Sequence, residues 1–484
     1  MPRAIDDGSI PAHRPPSGRR GRSRHRFDRR SVGVVLVLTT AATLARPTAV
    51  TGQDVATAVR SDADWILSAQ LPDGSIANYV DRQAIWPYLS NFAAMGLARA
   101  TEVTGDARYL DAAWKWLGWY QAHEDTQGFV TDYSVQNGVP VSTGFMDSTD
   151  SYAGTYLLAV RAAYRVGKDR AKVTALTNGI RGAVRAIEAT QATDGLTWAK
   201  PTWKVKYLMD QGETYGGLLA GAELATVLGD STLSQKATSM AGRMKSGVDQ
   251  LWRSTSSSYD WAVHEDGART PNNWAFLYSD ALQQAWAVAF GITDAIRGNL
   301  LLTTFNTQQP AWAQPAATAL FSGNSTQTVG YWPMAGLGFS NLSSTLASGA
   351  VLSIRSAAIN ANRAWPFTTA NAGQLIMYES YTRESSILTP LPSTLLAAPT
   401  TTTTRPATAT TTTTRLLIAL PATTTTTKPP TTTTTKAPAT TTTTRNVRRV
   451  LVGIRLGSLA SLELTQTGQG LAVNTAVGPG EPGG

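Results

Sequence analysis

Two stretches of this chain repeat the same arrangement of acids. Asp147-Ser-Thr-Asp150-Ser-Tyr152-Ala-Gly154 aligns without gaps to Asp210-Gln-Gly-Glu213-Thr-Tyr215-Gly-Gly217, and both read D-x-x-[DE]-[ST]-Y-[AG]-G. Sets of carboxylates are what glycosidic-bond hydrolysis requires: one protonated acid donates to the leaving oxygen, and one ionised partner activates water or attacks. Crowded like charges raise one pKa and leave the other low, which sorts the two roles. Acids at a helix start also cap its N-terminus and answer its dipole. Capping needs only one acid per helix. The recurrence of both, with Tyr and Gly attached, favours catalysis or substrate binding for at least one acid of each pair.

Other chemistries lack their parts. With no cysteine, thiol nucleophiles, disulfides and Cys-type zinc sites are excluded. His13 and His25 lie near the N-terminus, which leaves His123 and His264 for the body of the chain, too few for a three-His metal site. There is no G-x-S-x-G elbow and no G-x-x-x-x-G-K-[ST] loop. No metal and no cofactor are therefore expected. The net charge of +9 belongs to the ends: residues 1–46 hold ten Arg against three Asp, and residues 399–484 hold eight Lys or Arg against two Glu. The stretch between keeps 24 basic and 28 acidic residues, so no charge argument points to nucleic acid.

The elements that must position these acids show themselves as a long-period repeat. Tyr88, Tyr152, Tyr215 and Tyr278 are 64, 63 and 63 residues apart, and acidic turn residues follow at Asp106, Asp169, Asp230 and Asp294. Small and apolar residues at helical spacing follow each Tyr, and an amphipathic stretch such as Tyr109–Leu117 follows each turn. The unit reads as inner helix, tight turn, outer helix and long decorated loop. About six such hairpins fit between Val55 and Ser386, which predicts an all-α domain over residues 55–386. In a closed ring the inner helices would all start at one rim, bringing the four acids to one mouth.

The loops carry the aromatics of a glycan groove. Trp86, Trp198, Trp203, Trp261, Trp274 and Trp332 fall in connections or at helix starts. Flat rings suit the C–H faces of sugars. Trp86, Trp203, Trp261, Trp274 and Trp332, with Tyr88, Tyr152, Tyr215 and His264, are the expected substrate contacts. Taken singly, each Trp is better explained by gap-filling between hairpins; as a set on one side they favour a glycan groove.

With this architecture the chain resembles the six-hairpin (α/α)6 toroid glycosidases over residues 55–386. Unsaturated glucuronyl hydrolases and rhamnogalacturonyl hydrolases are similar in having two aspartates about one repeat apart at inner-helix starts. The resemblance makes Asp150 and Asp210 the matching pair, although the D-x-x-[DE] doubling departs from those families. It implies Asp210 or Glu213 as general acid, Asp150 as base, and Asp147 orienting Asp150 or binding a hydroxyl. Gln70-Leu-Pro-Asp73-Gly and Gln191-Ala-Thr-Asp194-Gly also resemble motifs of terpenoid cyclases, but no D-x-D-D acid is present. Two further alternatives are a non-catalytic glycan-binding or cell-wall protein, and a polysaccharide lyase with Tyr152 or Tyr215 as base.

The ends predict export. A basic stretch from Arg19 to Arg30 precedes an apolar one from Val32 to Leu44, and Thr43-Leu44-Ala45 offers small residues for cleavage, so residues 1–45 read as a signal peptide. Residues 399–445 are a Thr/Pro-rich linker, and 446–484 a tail that is either disordered or a small wall-associating module. The expected product is a secreted monomer acting on carbohydrate. N-terminal sequencing of protein from the medium should read from near Arg46; an intact Met1 on a membrane-bound form would contradict cleavage.

Overall fold

A computed structural model describes residues 52–313, 332–340, 344–364, 366–382, 460–467 and 470–477. The proposed leader (1–45) and the Thr-rich linker (399–445) lie outside them. The chain divides into two units, one up to Thr401 and one from Thr402. The second contains an antiparallel hairpin, Ala460–Thr467 with Gly470–Val477, in the stretch expected to be tail or small module.

The first unit is mostly helical, as its period predicts. In chain order its helices are α1 (Gly52–Ser68), α2 (Pro87–Thr104), α3 (Ala107–Ala122), α4 (Thr149–Gly167), α5 (Arg170–Ala175), α6 (Thr177–Thr190), α7 (Leu208–Leu228), α8 (Ser231–Asp249), α9 (Leu282–Ala289), α10 (Ala295–Gln308), α11 (Pro333–Ser340), α12 (Ser344–Asn360) and α13 (Thr369–Glu379). None of the described helices is long and apolar enough to cross a membrane.

The recurring acidic residues have a local cause. Asp106, Asp169, Asp230 and Asp294 are the N-caps of α3, α5, α8 and α10, each accepting a backbone N–H from the first turn. Before three of them the chain leaves the preceding helix through a left-handed residue: Gly105, Lys168 and Gly229. A helix stop followed at once by a helix start makes a tight hairpin. The second hairpin differs from expectation in one detail: its outer arm breaks at Leu176 into α5 and α6.

Packing separates two layers. In one, α2 packs on α4, α4 on α7, α7 on α9, α9 on α11, α11 on α13, and α13 back on α2, a closed circuit. In the other, α3, α6, α8, α10, α12 and α1 lie against these. The circuit helices are buried nearly throughout; α9 has no exposed residue. Glycines let them touch. A Cβ on Gly217 of α7 would stand 2.4 Å from the Gly154 Cα of α4, and one on Gly96 of α2 the same distance from the Gly373 Cα of α13.

The two Q-x-x-D-G stretches are clamps of the outer layer. Gln70 and Gln191 donate to the carbonyls of Ala112 on α3 and Met240 on α8. Gly74 and Gly195 hold positive φ with no room for a Cβ against Lys115 and Arg243. That role accounts for the motif without cyclase chemistry.

Gly217→Val should cost about 3 kcal/mol or abolish folding, because the backbone it meets cannot move aside. Gly242→Ala on the exposed face of α8, where nothing lies within 4 Å, should be neutral or stabilise by about 0.5 kcal/mol. Thermal melts of the two variants check the contrast.

Candidate active site

The Gly154–Gly217 contact sets the first turns of α4 and α7 side by side, and Asp150, Asp210 and Glu213 meet there. Asp150 is fully buried. Its Oδ1 accepts from the Ser148 hydroxyl at 2.6 Å and the Ser151 N–H at 2.8 Å, and its Oδ2 from the Thr197 hydroxyl at 2.6 Å. Thr197 is held in turn by Gln211, whose side chain accepts its N–H and donates to its carbonyl.

Ser148 also lies 3.2 Å from Asp210 Oδ2. A hydroxyl has one hydrogen, and the shorter contact is to Asp150. One hydrogen cannot satisfy two carboxylates, so the shared hydroxyl is best bonded when one of the two acids carries a proton. Burial and neighbouring charge favour Asp210 as its holder. Asp210 is raised well above the usual carboxylate range by burial, then by Asp150, Glu213 and Asp147, with the Ser148 hydrogen bond opposing. Asp150 is raised by burial but pulled back by its three donors.

Glu213 is fully buried and pushed up to about 7 by burial, against hydrogen bonds that favour its anion. Its Oε1 accepts from the Tyr88 hydroxyl at 2.6 Å and the Trp286 indole N–H at 2.8 Å, while Oε2 has no hydrogen-bond partner. Two aromatic arms leave from it. Tyr88 stacks on Tyr152 at 6.0 Å, and Trp286 meets Trp332 edge-on, which stacks on Tyr278 at 5.6 Å.

Asp147 differs from its neighbours in being exposed. It sits at the foot of a β-hairpin, Tyr133–Gln136 with Val139–Ser142, closed at its base by Asp132 N–H to the Phe145 carbonyl at 2.7 Å. Although the residue is exposed to solvent, the protein crowded around its carboxyl raises Asp147, and Lys200 opposes the rise. Asp147 acts electrostatically on Asp132, Asp210, Tyr207 and Tyr278, so it stands among them. Asp132 accepts from the Tyr152 hydroxyl at 2.8 Å and is pushed up to about 7 by burial.

The expected aromatic contacts divide. Trp203 donates to the Tyr207 hydroxyl at 3.1 Å, and Trp261 stacks on Tyr207 at 5.9 Å. Tyr88, Tyr152 and Trp332 join the cluster through the contacts above. Tyr215 lies near Asp249 at the end of α8, His264 bonds Thr270 within its own sheet, and Trp274 bonds the Ser256 carbonyl. Trp86 precedes α2, its N–H held by Asn78. These four share no hydrogen bond or ring contact with the carboxylates. The sequence reading did not single out Ser148, Asp132, Lys200, Tyr207 or Trp286 for the site. Tyr278 was visible only as a repeat marker, yet it is 41 % exposed beside Asp147 and Asp210. Among the described residues no group of three His, Asp or Glu is disposed to hold a metal ion.

No protein-family model matches the chain, and no curated protein sequence does. Solved structures are similar in fold. A single-substitution variant of a glycosidase has a TM-score of 0.50 at 14 % identity, covering 68 % of this chain and 97 % of its own. A GH63 mannosylglycerate hydrolase from Thermus thermophilus, in complex with glucose, scores 0.49 at 12 % identity, covering 66 % and 99 %. A β-1,3-1,4-glucanase from a Paenibacillus species scores 0.49 at 14 % identity, covering 70 % and 95 %.

The raised carboxylates predict how stability depends on pH. Glu213 and Asp132 reach about 7, and burial also lifts Glu379 to about 8 and Glu124 to about 9, from ordinary values of 4.5 and 3.8. Above about pH 4 the folded chain holds protons that the unfolded chain has lost, so stability falls as pH rises. Their contribution is full below that pH and is lost through the folded values near 7 to 9. The melting temperature should drop from pH 5 to pH 9, and Glu213→Gln should flatten the fall between pH 5 and 7.

Proposed function

We propose that this chain is an exported glycoside hydrolase whose helical circuit is an (α/α)6 toroid, with Asp210 as its general acid. The observation that carries the reading is the Ser148 hydroxyl shared between Asp150 and Asp210, whose single hydrogen calls for a proton on one of the two acids; burial and neighbouring charge favour Asp210. Asp150, buried with both oxygens occupied, then serves behind Asp210 rather than at the water. Its anion holds Ser148 with the lone pair turned toward the acid.

Asp147 takes the second role. It is the exposed carboxylate next to Asp210, and Lys200 opposes the upward shift its surroundings impose. In hydrolysis Asp210 gives its proton to the glycosidic oxygen as that bond breaks. Asp147 takes a proton from the attacking water or attacks the anomeric carbon itself. Stacked pairs Tyr207–Trp261 and Tyr278–Trp332 offer faces for sugar rings on elements adjoining both acids. The likeness in fold to a glycosidase supports the reading. A lyase is less well supported, because burial raises the hydroxyls of Tyr152 and Tyr215 rather than lowering them toward a base.

Asp210→Asn and Asp147→Asn should each lose at least about a hundredfold in turnover on a responsive oligosaccharide, with unchanged circular dichroism. Asp106→Asn and Asp230→Asn replace one N-cap residue by another at the opposite ends of the hairpins and should keep activity. Full turnover by Asp210→Asn would sink the assignment.

A further inference from the structure

Around the candidate acids the charge is strongly one-sided. Asp132, Asp147, Asp150, Asp210 and Glu213 are linked by the hydrogen bonds and electrostatic contacts described above. The cation acting on this group is Lys200, which opposes the rise of Asp132 and Asp147. Its ammonium is already engaged: it donates to the Met146 carbonyl at 2.7 Å and lies 4.6 Å from the centre of the Phe145 ring.

The other basic side chains of the neighbouring loops are engaged too. Lys204 pairs with Glu265 at 2.9 Å and Lys206 with Asp194 at 2.6 Å, while Arg253 and Arg269 both pair with Asp260. The sequence from 314 to 331 contains no Lys, Arg or His. Recognition of a carboxylate calls for a free guanidinium fork or ammonium aimed at it. Among the described residues none is aimed at this cluster.

What the cluster offers a ligand is acceptors and flat rings. Exposed Asp147 accepts hydroxyl or ammonium protons, and Tyr278 and Tyr207 each present a ring backed by a tryptophan. A uronate seated among them would bring a further negative charge against Asp147 and Asp150. Hydroxyls or an amine would meet acceptors.

We propose that the sugar unit over Asp147 and Asp210 carries no carboxylate, so that the ligand is a neutral or amino-sugar glycan and not a uronide. This rests on the hydrolase reading for the place of the sugar, not for its charge. It runs against the substrate implied by the resemblance to glucuronyl and rhamnogalacturonyl hydrolases. Neutral and amino sugars share the lack of an acid group, and the test separates them.

The full chain is titrated calorimetrically, and assayed for reducing-end release, with gluco- and manno-oligosaccharides, chitosan oligomers, and oligogalacturonate with its unsaturated lyase products. A neutral or chitosan series should be bound at least about a hundredfold more tightly than any uronide, as like-charge contacts at a desolvated site demand. Which of the two series binds identifies the sugar. Asp147→Asn should narrow that ratio by about tenfold by gaining affinity for oligogalacturonate, a gain that mere loosening of the site does not produce. Selective binding without turnover of any ligand would overturn the hydrolase reading and leave this proposal standing. Uronides bound or cleaved as well as the neutral series, or no binding of any series, would overturn the proposal itself.

Discussion

The site depends on one close approach of two backbones. Gly154 and Gly217 end the repeated eight-residue motif, and each lies where the other helix leaves no space for a side chain. That contact is a packing device. Because it falls one turn after the acids, it is also what sets Asp150 beside Asp210 and Glu213. A motif that reads as catalysis in its first half is architecture in its second. The two halves cannot vary independently, since a side chain at either glycine would spread the helices and separate the acids that Ser148 joins.

Bringing carboxylates together in this way is unfavourable by itself. Removing ionised groups from water costs several kcal/mol each unless they are paired or protonated. This cluster uses both routes. Asp150 keeps a stabilised charge through two hydroxyls and one backbone N–H, while Asp210 and Glu213 are driven toward their neutral forms. Unequal solvation of neighbouring acids separates their protonation states, which acid–base chemistry near neutral pH requires. The Gln211 clamp on Thr197 matters for this reason, because it fixes one of the hydroxyls that stabilise Asp150.

Much of this was legible in the residues. The tyrosine period marks the inner helices, and the acids that follow it are N-caps, recognisable because capping is local and needs only the right residue at the right offset. The doubled motif marked the two helices that meet. Its limit lay in treating equivalent positions as equivalent environments. Tyr152 reaches Asp132 while Tyr215, its counterpart, lies near Asp249; Asp147 is exposed while Asp210, its counterpart, is half-buried. Repeat position sets where the backbone runs, but the neighbour across the gap decides what a side chain touches. Asp132 and Lys200 carry no local signal at all, since each comes from a loop whose partner lies in another hairpin.

The two ends of the hairpins answer to different physics. At one end, helices stop at left-handed residues and restart on aspartate caps, with short turns and exposed ion pairs such as Arg181–Asp230, so little there can be rearranged except at the expense of the helices. At the other end, long loops return from the outer layer. They are secured by Gln70 and Gln191 to the outer helices, which leaves their inward sides to differ from repeat to repeat. The sheet that carries Tyr207 and Trp261, the hairpin that closes on Asp132, and the turn that presents Tyr278 are three unlike solutions on the same frame. An asymmetric ligand needs such unlike surroundings around it. A repeated scaffold supplies them only where its connections are free to diverge, which is why the candidate acids lie at the looped ends of the hairpins and not at the capped ones.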